Sequence, residues 1–148
     1  MMTKTDKFAS LVDRFPNLFR DVKSASSPVR LGRFAFGIEC GDGWFPLIEE
    51  LCSKIEEVIV SLPDEERRGT YALQIKEKFG ELNFYMSACN EKIDALIDEA
   101  TSLSLKTCER CGEPGKIRTD GWYRTLCDHH EKEWSERRSA RGTYTVVK

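Results

Sequence analysis

Two pairs of metal-binding side chains near the C-terminus constrain this chain more than any other feature. Cys108 and Cys111 form a CxxC pair, and after fifteen intervening residues Cys127 and His130 form a CxxH pair. Three thiolates and one imidazole complete the tetrahedral shell of a structural zinc ion and leave no position open for water or substrate. The sequence therefore predicts a structural Zn²⁺ site with these four ligands.

Two alternatives compete with this assignment. The cysteines could form disulfides, but no N-terminal stretch shows the charged start, apolar run and small-residue cleavage site of an export signal, and a reducing compartment favours metal ligation. His129 could replace its neighbour as the fourth ligand. His130 is favoured because it follows Cys127 by three residues, which places both on one face of a helical turn. We therefore expect a cytoplasmic protein with His130 as the ligand.

The residues around the ligands predict a compact metal-binding module. Residues 116–119 and 122–126 each have the pattern of a short strand, and the Asp-Gly pair between them is a strong hairpin signal. The chain is expected to become helical after Cys127, because Asp128 in the first turn suits the positive end of the helix dipole. A knuckle, a hairpin and a helix carrying the last ligands form the layout of a treble-clef zinc finger. We predict such a module over residues 106–148.

Residues 1–105 are predicted to form an α+β core domain, with helices packed on a small antiparallel sheet. Apolar residues recur at helical spacing after Thr5-Asp6, after Asp42 and after Asn90, and these polar residues are expected to cap the three helices. The helix after Asn90 leads directly into the zinc module without a flexible linker. The module is therefore expected to pack on the core.

Strand patterns occupy two places in the core domain. Residues 34–38 alternate between apolar and other side chains, whereas the preceding residues 21–32 lack periodicity and are predicted to form a loop. Alternation also occurs on both sides of residues 78–81, which predicts a β-hairpin with Gly80 in its turn. The charged run at residues 64–68 is expected to end the long helix that follows Asp42.

Two surfaces offer candidate residues for binding a partner or ligand. One face of the predicted hairpin presents lysines, an amide and a tyrosine, a combination suited to an acidic or phosphate-bearing partner. Arginines on and beside the zinc module form the second surface and suit phosphate contacts. The candidates are Lys76, Lys78, Tyr85, Arg118, Arg124, Arg137 and Arg138. A solvated face that binds nothing is the competing interpretation of the hairpin.

The charge distribution limits the nucleic-acid interpretation. The chain carries 23 Lys/Arg and 25 Asp/Glu, with a pI near 5.8. Residues 1–105 contain 13 basic and 18 acidic side chains, a balance of −5, and residues 106–148 contain 10 and 7, a balance of +3. Such a weak basic bias does not by itself predict DNA binding. No apolar run approaches the roughly 18 residues that span a bilayer, so no membrane partner is expected.

Several longer motifs occur together in this chain. They are FGIECGDGW at 36–44, QIKEKFG at 74–80, LNFY at 82–85, CERCGEPG at 108–115 and GWYRTLC at 121–127. Together they resemble a family of small proteins encoded by tailed phages and prophages, and the similarity extends from about Phe15 to His130. The resemblance implies a phage or prophage origin and action in the host cytoplasm. The family has no assigned activity, so it implies no catalytic residues.

Three function classes follow. Small phage proteins often inhibit or redirect host machinery, which by association predicts a zinc-stabilised, non-enzymatic accessory protein that binds a host protein, such as an antiviral defence component. The second class is a protein that binds nucleic acid or sequesters a nucleotide signal. An HNH-like nuclease is disfavoured, because zinc occupies Cys127 and His130 and the downstream Asn and His are missing. Cys40, Cys52 and Cys89 lack an identifiable His partner, so no catalytic residue is predicted.

Overall fold

The computed structural model of the chain describes residues 2–24, 34 and 37–146. Its helices are α1 (Lys4–Arg14), α2 (Arg20–Ser24), α3 (Phe45–Val60), α4 (Asp64–Arg68), α5 (Glu91–Ser104) and α6 (Asp128–Val146). Its strands are β1 (Ala72–Lys78), β2 (Glu81–Met86), β3 (Lys116–Arg118) and β4 (Arg124–Leu126). Strand β1 pairs with β2 and β3 with β4, both antiparallel. The described residues therefore form an α+β fold with two small antiparallel sheets, which confirms the predicted class.

Helix α1 begins with a reciprocal cap. Thr3 Oγ1 accepts a hydrogen bond from the amide of Asp6, and the amide of Thr3 donates to the Asp6 carboxylate, both at 3.1 Å. These bonds lower the pKa of the Asp6 carboxyl. The N-cap is therefore Thr3, two residues before the predicted Thr5. The Asp6 carboxylate lies three residues further along the helix and reaches back to the Thr3 amide.

Two predictions for the segment before the long helix need correction. Residues 21–24 belong to helix α2 instead of the predicted loop, because Val22 packs against the core and holds this short helix. In the described part of the predicted strand, residues 34 and 37–39, the pairing is one parallel bridge between Glu39 and β1. Gly37, with φ of +68°, interrupts the extended backbone. Phe36 and most of the predicted loop lie outside the described residues.

The prediction that Asp42 caps the long helix is wrong. Asp42–Trp44 forms a 3-10 turn, and α3 begins at Phe45; among the described residues no side chain caps either start. The Asp42 carboxylate instead lies 3.5 Å from Lys7 Nζ. The physical reason is that the amides such a cap would accept from, those of Trp44 and Phe45, already donate to the carbonyl oxygens of Gly41 and Asp42 within the 3-10 turn. The amide of Gly43 donates to the carbonyl oxygen of Glu109 at 2.7 Å.

The core lies between α3, α5 and the inner face of the β1–β2 hairpin. Helix α5 packs on both α3 and β2. It begins as predicted at Asn90, whose Oδ1 accepts a 2.8 Å hydrogen bond from the amide of Ile93. The predicted apolar stripe of α3 is buried at Ile48, Leu51, Cys52, Ile55 and Ile59. The charged run after α3 ends that helix as predicted, but it forms the short helix α4.

Both predicted hairpins are present. In the first, Phe79 and Gly80 connect β1 to β2 with φ values of +55° and +81°, the combination of a type I′ turn. In the second, residues 119–123 connect β3 to β4, so the strands are shorter than predicted and the turn is longer. Helix α6 then follows Cys127 as predicted. Within the described residues, none of the helices combines the length and apolar character that a bilayer crossing requires.

Candidate metal centre

The structure brings Cys108, Cys111, Cys127 and His130 together. One donor atom from each lies within 4.8 Å of the other three. His130 Nδ1 lies 3.5 Å from Cys108 Sγ and 3.3 Å from Cys127 Sγ. The sulfur atoms of Cys111 and Cys127 lie 3.8 Å apart. Three sulfur donors and one nitrogen donor at these separations could hold one metal ion.

A tight turn positions the first two ligands. The carbonyl oxygen of Cys108 accepts a 2.9 Å hydrogen bond from the amide of Gly112, whose φ of +82° favours glycine. The amide of Cys108 donates to the carbonyl of Glu113 at 2.7 Å. A Cβ on Gly115 would lie 2.8 Å from the Cys108 nitrogen, which is too close for a side chain. We call residues 107–115 the cysteine knuckle.

The knuckle favours the ionised form of Cys108. Burial alone raises the pKa of this thiol, but hydrogen bonds from the backbone amides of Cys127, Cys111 and Arg110 lower it to about 6. The pKa of Cys111 is raised: the amide of Glu113 lowers it, but burial and the two neighbouring thiols outweigh that bond. Because the thiolate is the form that binds metal, Cys108 is already suited to be a ligand.

Helix α6 supplies His130 and turns its neighbour away. The amide of His130 lies 3.5 Å from Cys127 Sγ, in the first turn of the helix. His129 is exposed, and its Nε2 lies 3.4 Å from Glu133 Oε1. His129, His130 and Glu133 also have donor atoms within 4.8 Å of one another, but Glu133 lies 3.6 Å from the Arg110 guanidinium as well. The cluster of three cysteines thus contains His130 and not His129.

The segment just before α3 is hydrogen-bonded to the cysteine knuckle. Besides the bond from Gly43 to the Glu109 carbonyl, the amide of Gly41 donates to the Glu109 carboxylate at 2.8 Å. Burial raises the pKa of that carboxyl. A Cβ on Gly43 would collide with the carbonyl oxygen of Cys108, so only glycine fits there. Part of the ECGDGW motif is explained by this contact.

A second buried contact joins the two hairpins. The hydroxyl of Thr125, on β4, donates a buried 2.6 Å hydrogen bond to the carbonyl oxygen of Gly80, at the tip of the first hairpin. A Cβ on Gly80 would collide with the side chain of Ile117 on β3. Glycine at position 80 thus permits both the turn and the close packing of the hairpin tip against Ile117. The tip of the first hairpin is therefore held against residues 116–126.

Two of the predicted surface arginines are engaged inside the C-terminal unit. Arg124 is only 5% exposed, and its guanidinium forms two bonds to the Glu131 carboxylate, at 2.6 and 2.9 Å. The same group stacks on the Trp134 ring, 3.5 Å from its centroid. Its pKa is raised, chiefly by the hydrogen bonds to Glu131. Arg118 donates to the Leu126 carbonyl and to Asp128, both at 3.0 Å. These two arginines stabilise the fold around the cluster.

The other candidates lie nearer to solvent. Strand pairing puts Lys76 and Tyr85 on the outer face of the first hairpin, with Lys78 on the same face at its end. Arg137 and Arg138 are exposed on α6, and Arg138 lies over the Trp134 ring at 5.2 Å from its centroid. The structure therefore places three of these candidates on the first hairpin and two on α6.

Sequence reasoning missed three exposed aromatic side chains. Phe79 is 70% exposed, Trp122 is 71% and Tyr123 is 45%. They lie at the tips of the two hairpins, and the Phe79 and Tyr123 rings meet edge to face with centroids 6.5 Å apart. A signal was available, because a phenylalanine before glycine is unusual in a two-residue turn that favours asparagine.

Comparisons with protein-family models, curated proteins and solved structures give no match for this chain. The resemblance to tailed-phage proteins therefore stays a prediction from the sequence. The chemistry of the candidate site rests on its own geometry.

Proposed function

We propose that the protein is a zinc-stabilised, non-enzymatic binding module that acts on another protein. The observation that carries the proposal is the closed donor set of Cys108, Cys111, Cys127 and His130, together with exposed aromatic side chains at the tips of the two hairpins. The metal organises the surface, and the surface makes the functional contact.

The separations between donors support zinc. Tetrahedral zinc, bonded to sulfur at about 2.3 Å and to nitrogen at about 2.0–2.1 Å, keeps its ligands about 3.4–3.8 Å apart. The observed separations of 3.5 and 3.8 Å lie in that range, and the 3.3 Å separation between Cys127 Sγ and His130 Nδ1 lies just below it. Because the chain supplies all four ligands, the ion has a structural role and leaves no position for a substrate.

The order of elements supports a treble-clef frame. The knuckle with Cys108 and Cys111 precedes the β3–β4 hairpin, Cys127 ends the hairpin, and His130 lies in the first turn of α6. Each ligand pair thus comes from a tight turn or a helix start, where backbone amides point toward the sulfur atoms. Zinc binding would then contribute directly to the folding of this region.

A protein partner is favoured over nucleic acid. Arg118 and Arg124, two of the arginines that suited phosphate contacts, are engaged by carboxylates and carbonyl groups of the chain itself. Exposed aromatic residues in contact with one another are typical of protein-binding surfaces. The sequence resemblance adds that the partner is a host protein, such as a component of antiviral defence.

The metal is tested by elemental analysis of protein purified without chelator. We expect one zinc per chain, and we expect Cys108→Ser and Cys127→Ser to lose it while the matched variant His129→Ala retains it. Absence of stoichiometric metal from the wild-type protein would overturn the zinc assignment. Loss of zinc in His129→Ala would show that the wrong histidine was assigned.

The binding role is tested by co-purification from host cells with zinc-loaded protein as bait. We expect one host protein at near-stoichiometric amounts, with loss of that protein when a chelator removes the metal. Retention of nucleic acid or a nucleotide with no stoichiometric protein would support the alternative function class. Turnover of a co-purified substrate, abolished by metal exchange, would contradict the non-enzymatic role.

A further inference from the structure

We propose that Phe79, Trp122 and Tyr123 form the docking surface of the module, and that its occupant is an acidic protein segment carrying large apolar side chains. We call these three residues the aromatic tip. This inference rests on the proposed binding function and adds the location of the contact and the chemistry of the partner.

The aromatic tip has grooves on both sides. One is lined by Lys78, Phe79 and Tyr123, and the other by Trp134, Arg137 and Arg138, with Trp122 bordering both. Each groove has a volume of about 670 Å³. Grooves of this size accommodate the side chains of an extended peptide, and Trp122, which borders both grooves, would pack between two of those side chains.

The backbone of Phe79 is unfavourable for a phenylalanine. Its φ of +55° lies in the left-handed region, where asparagine or glycine is preferred in this turn. The side chain is mostly exposed, so burial in the core does not compensate for the strained backbone. Strain retained at an exposed aromatic residue is typical of a functional contact.

The aromatic tip is rigid before any partner arrives. The Gly80 carbonyl is held by Thr125, and the Arg124 guanidinium donates to the carbonyl oxygens of Asp120 and Trp122 at 3.1 and 2.7 Å. Both loops that carry the aromatic rings are therefore anchored by buried groups. A partner would meet a surface that is already formed.

The charges around the aromatic tip favour an acidic occupant. Lys78, Arg137 and Arg138 flank the grooves. Two of the nearby acids already have partners in the chain: Asp120 lies 3.2 Å from the buried Arg124, and the Glu77 carboxylate accepts a 2.8 Å bond from the amide of Gly80. Glu81 lies opposite Lys78 on β2, so the excess of positive charge is on the α6 side, at Arg137 and Arg138. Arginine guanidinium groups bind carboxylates with two parallel hydrogen bonds, which suits aspartate and glutamate in the partner.

Ring geometry favours a peptide over a single strand of nucleic acid. The planes of Phe79 and Tyr123 are 73° apart, so the two rings do not offer parallel faces on which successive bases could stack. An edge-to-face pair instead makes a corner that fits aliphatic or aromatic side chains. Base stacking therefore fits this surface less well than apolar side chains do.

The test is a random peptide-display selection against zinc-loaded protein, followed by fluorescence anisotropy with the selected peptides and with poly(dT). We expect peptides rich in Asp or Glu next to Trp, Phe or Leu. Phe79→Asn, Trp122→Ala and the double reversal Arg137→Glu/Arg138→Glu should each weaken binding at least about tenfold. Val60→Ser, at an apolar side chain exposed on α3, is the matched control and should bind as the wild type does.

Phe79→Asn separates binding from folding. Because asparagine is preferred at this turn position, the variant should keep its zinc and unfold at the same or a higher temperature while it loses the peptide. A lower Tm would show that Phe79 serves the fold and would overturn its assignment to the aromatic tip.

The outcomes distinguish this inference from the proposed function. If the wild-type protein selects no peptide and captures no host protein, the binding function itself fails. If it selects peptides and the aromatic-tip variants bind them as tightly as the wild type, only the location is wrong. Basic selected peptides, or poly(dT) binding that the same variants abolish, would overturn the acidic protein segment as occupant.

Discussion

The indole of Trp44 donates a 2.8 Å hydrogen bond to the carbonyl oxygen of Thr107, the residue before the first cysteine of the cluster. Trp44 is fully buried beside α3, and Cys108 is fully buried in the knuckle. The bond thus joins the apolar core to the candidate metal centre.

Replacing Trp44 by phenylalanine tests that bond. The ring keeps most of its apolar area, but the half-buried carbonyl of Thr107 loses its indole donor, so we expect a loss of about 1 kcal/mol in the free energy of unfolding. Trp122→Phe is the matched control and should change stability by less than about 0.5 kcal/mol, because that indole is exposed. Urea denaturation of zinc-loaded protein measures both, and equal effects would contradict the assignment.

Gly43→Ala should separate the 3-10 turn from the knuckle. Its new methyl group would collide with the backbone at Cys108, which cannot move without disturbing the ligands, so we expect destabilisation of about 1–3 kcal/mol and weaker zinc retention. Gly69→Ala is the control, because its nearest neighbour would lie at 3.7 Å. Competition with a chromogenic chelator measures zinc retention. Unchanged retention in Gly43→Ala would show that the contact between Gly43 and the knuckle does not support the metal.

Arg124→Met should destabilise the C-terminal unit. The variant keeps an apolar stem against Trp134 but leaves the half-buried Glu131 carboxylate without its partner. Removing one member of a buried ion pair costs about 3 kcal/mol or more of folding stability. The exposed pair with Asp120 adds little. Arg137→Met, at an exposed position of α6, should leave the thermal midpoint unchanged, and similar midpoints for both variants would rule out the structural role of Arg124.

Thiol labelling should report the metal state. Burial raises the pKa of Cys40 to about 12 and also raises that of Cys52, so neither should react in folded protein. Cys89 is exposed, but partial burial and Asp94 raise its pKa to about 11, so its labelling rate should rise as pH increases toward that value. Adding a chelator at neutral pH should make three more thiols reactive. Mass spectrometry of alkylated peptides identifies them, and labelling of Cys108 before chelation would contradict metal ligation.

Much of the fold could be predicted because its signals are local. The ligand spacing, the Asn90 cap and the Gly80 turn each depend on a few neighbouring residues, and the structure agrees with all three. The Asp42 cap failed for the opposite reason. The amides of Gly41 and Gly43, on either side of Asp42, donate to Glu109, far away in sequence, at the 3-10 turn that replaces the cap. Local patterns carry no information about such a partner.

The exposure of individual side chains was harder to predict for a related reason. Arginine is usually exposed, yet Arg124 is buried by a carboxylate and an indole that only the tertiary fold brings to it. Conversely, Phe79 and Trp122 are apolar residues of types that are usually buried, and their side chains face solvent. Residue type gives only an average burial, and Arg124, Phe79 and Trp122 depart from that average in opposite directions.

The contact from Thr125 to Gly80 has a consequence for unfolding. Together with the bonds from Gly41, Gly43 and Trp44 to residues 107–109, it attaches residues 106–126 to the rest of the chain at two separate places. Neither part can open without breaking these bonds, so heating should produce one cooperative transition that calorimetry records as a single peak. A fragment that ends before Cys108 would expose Trp44 and the hairpin tip together, and it would not be an independent folding unit.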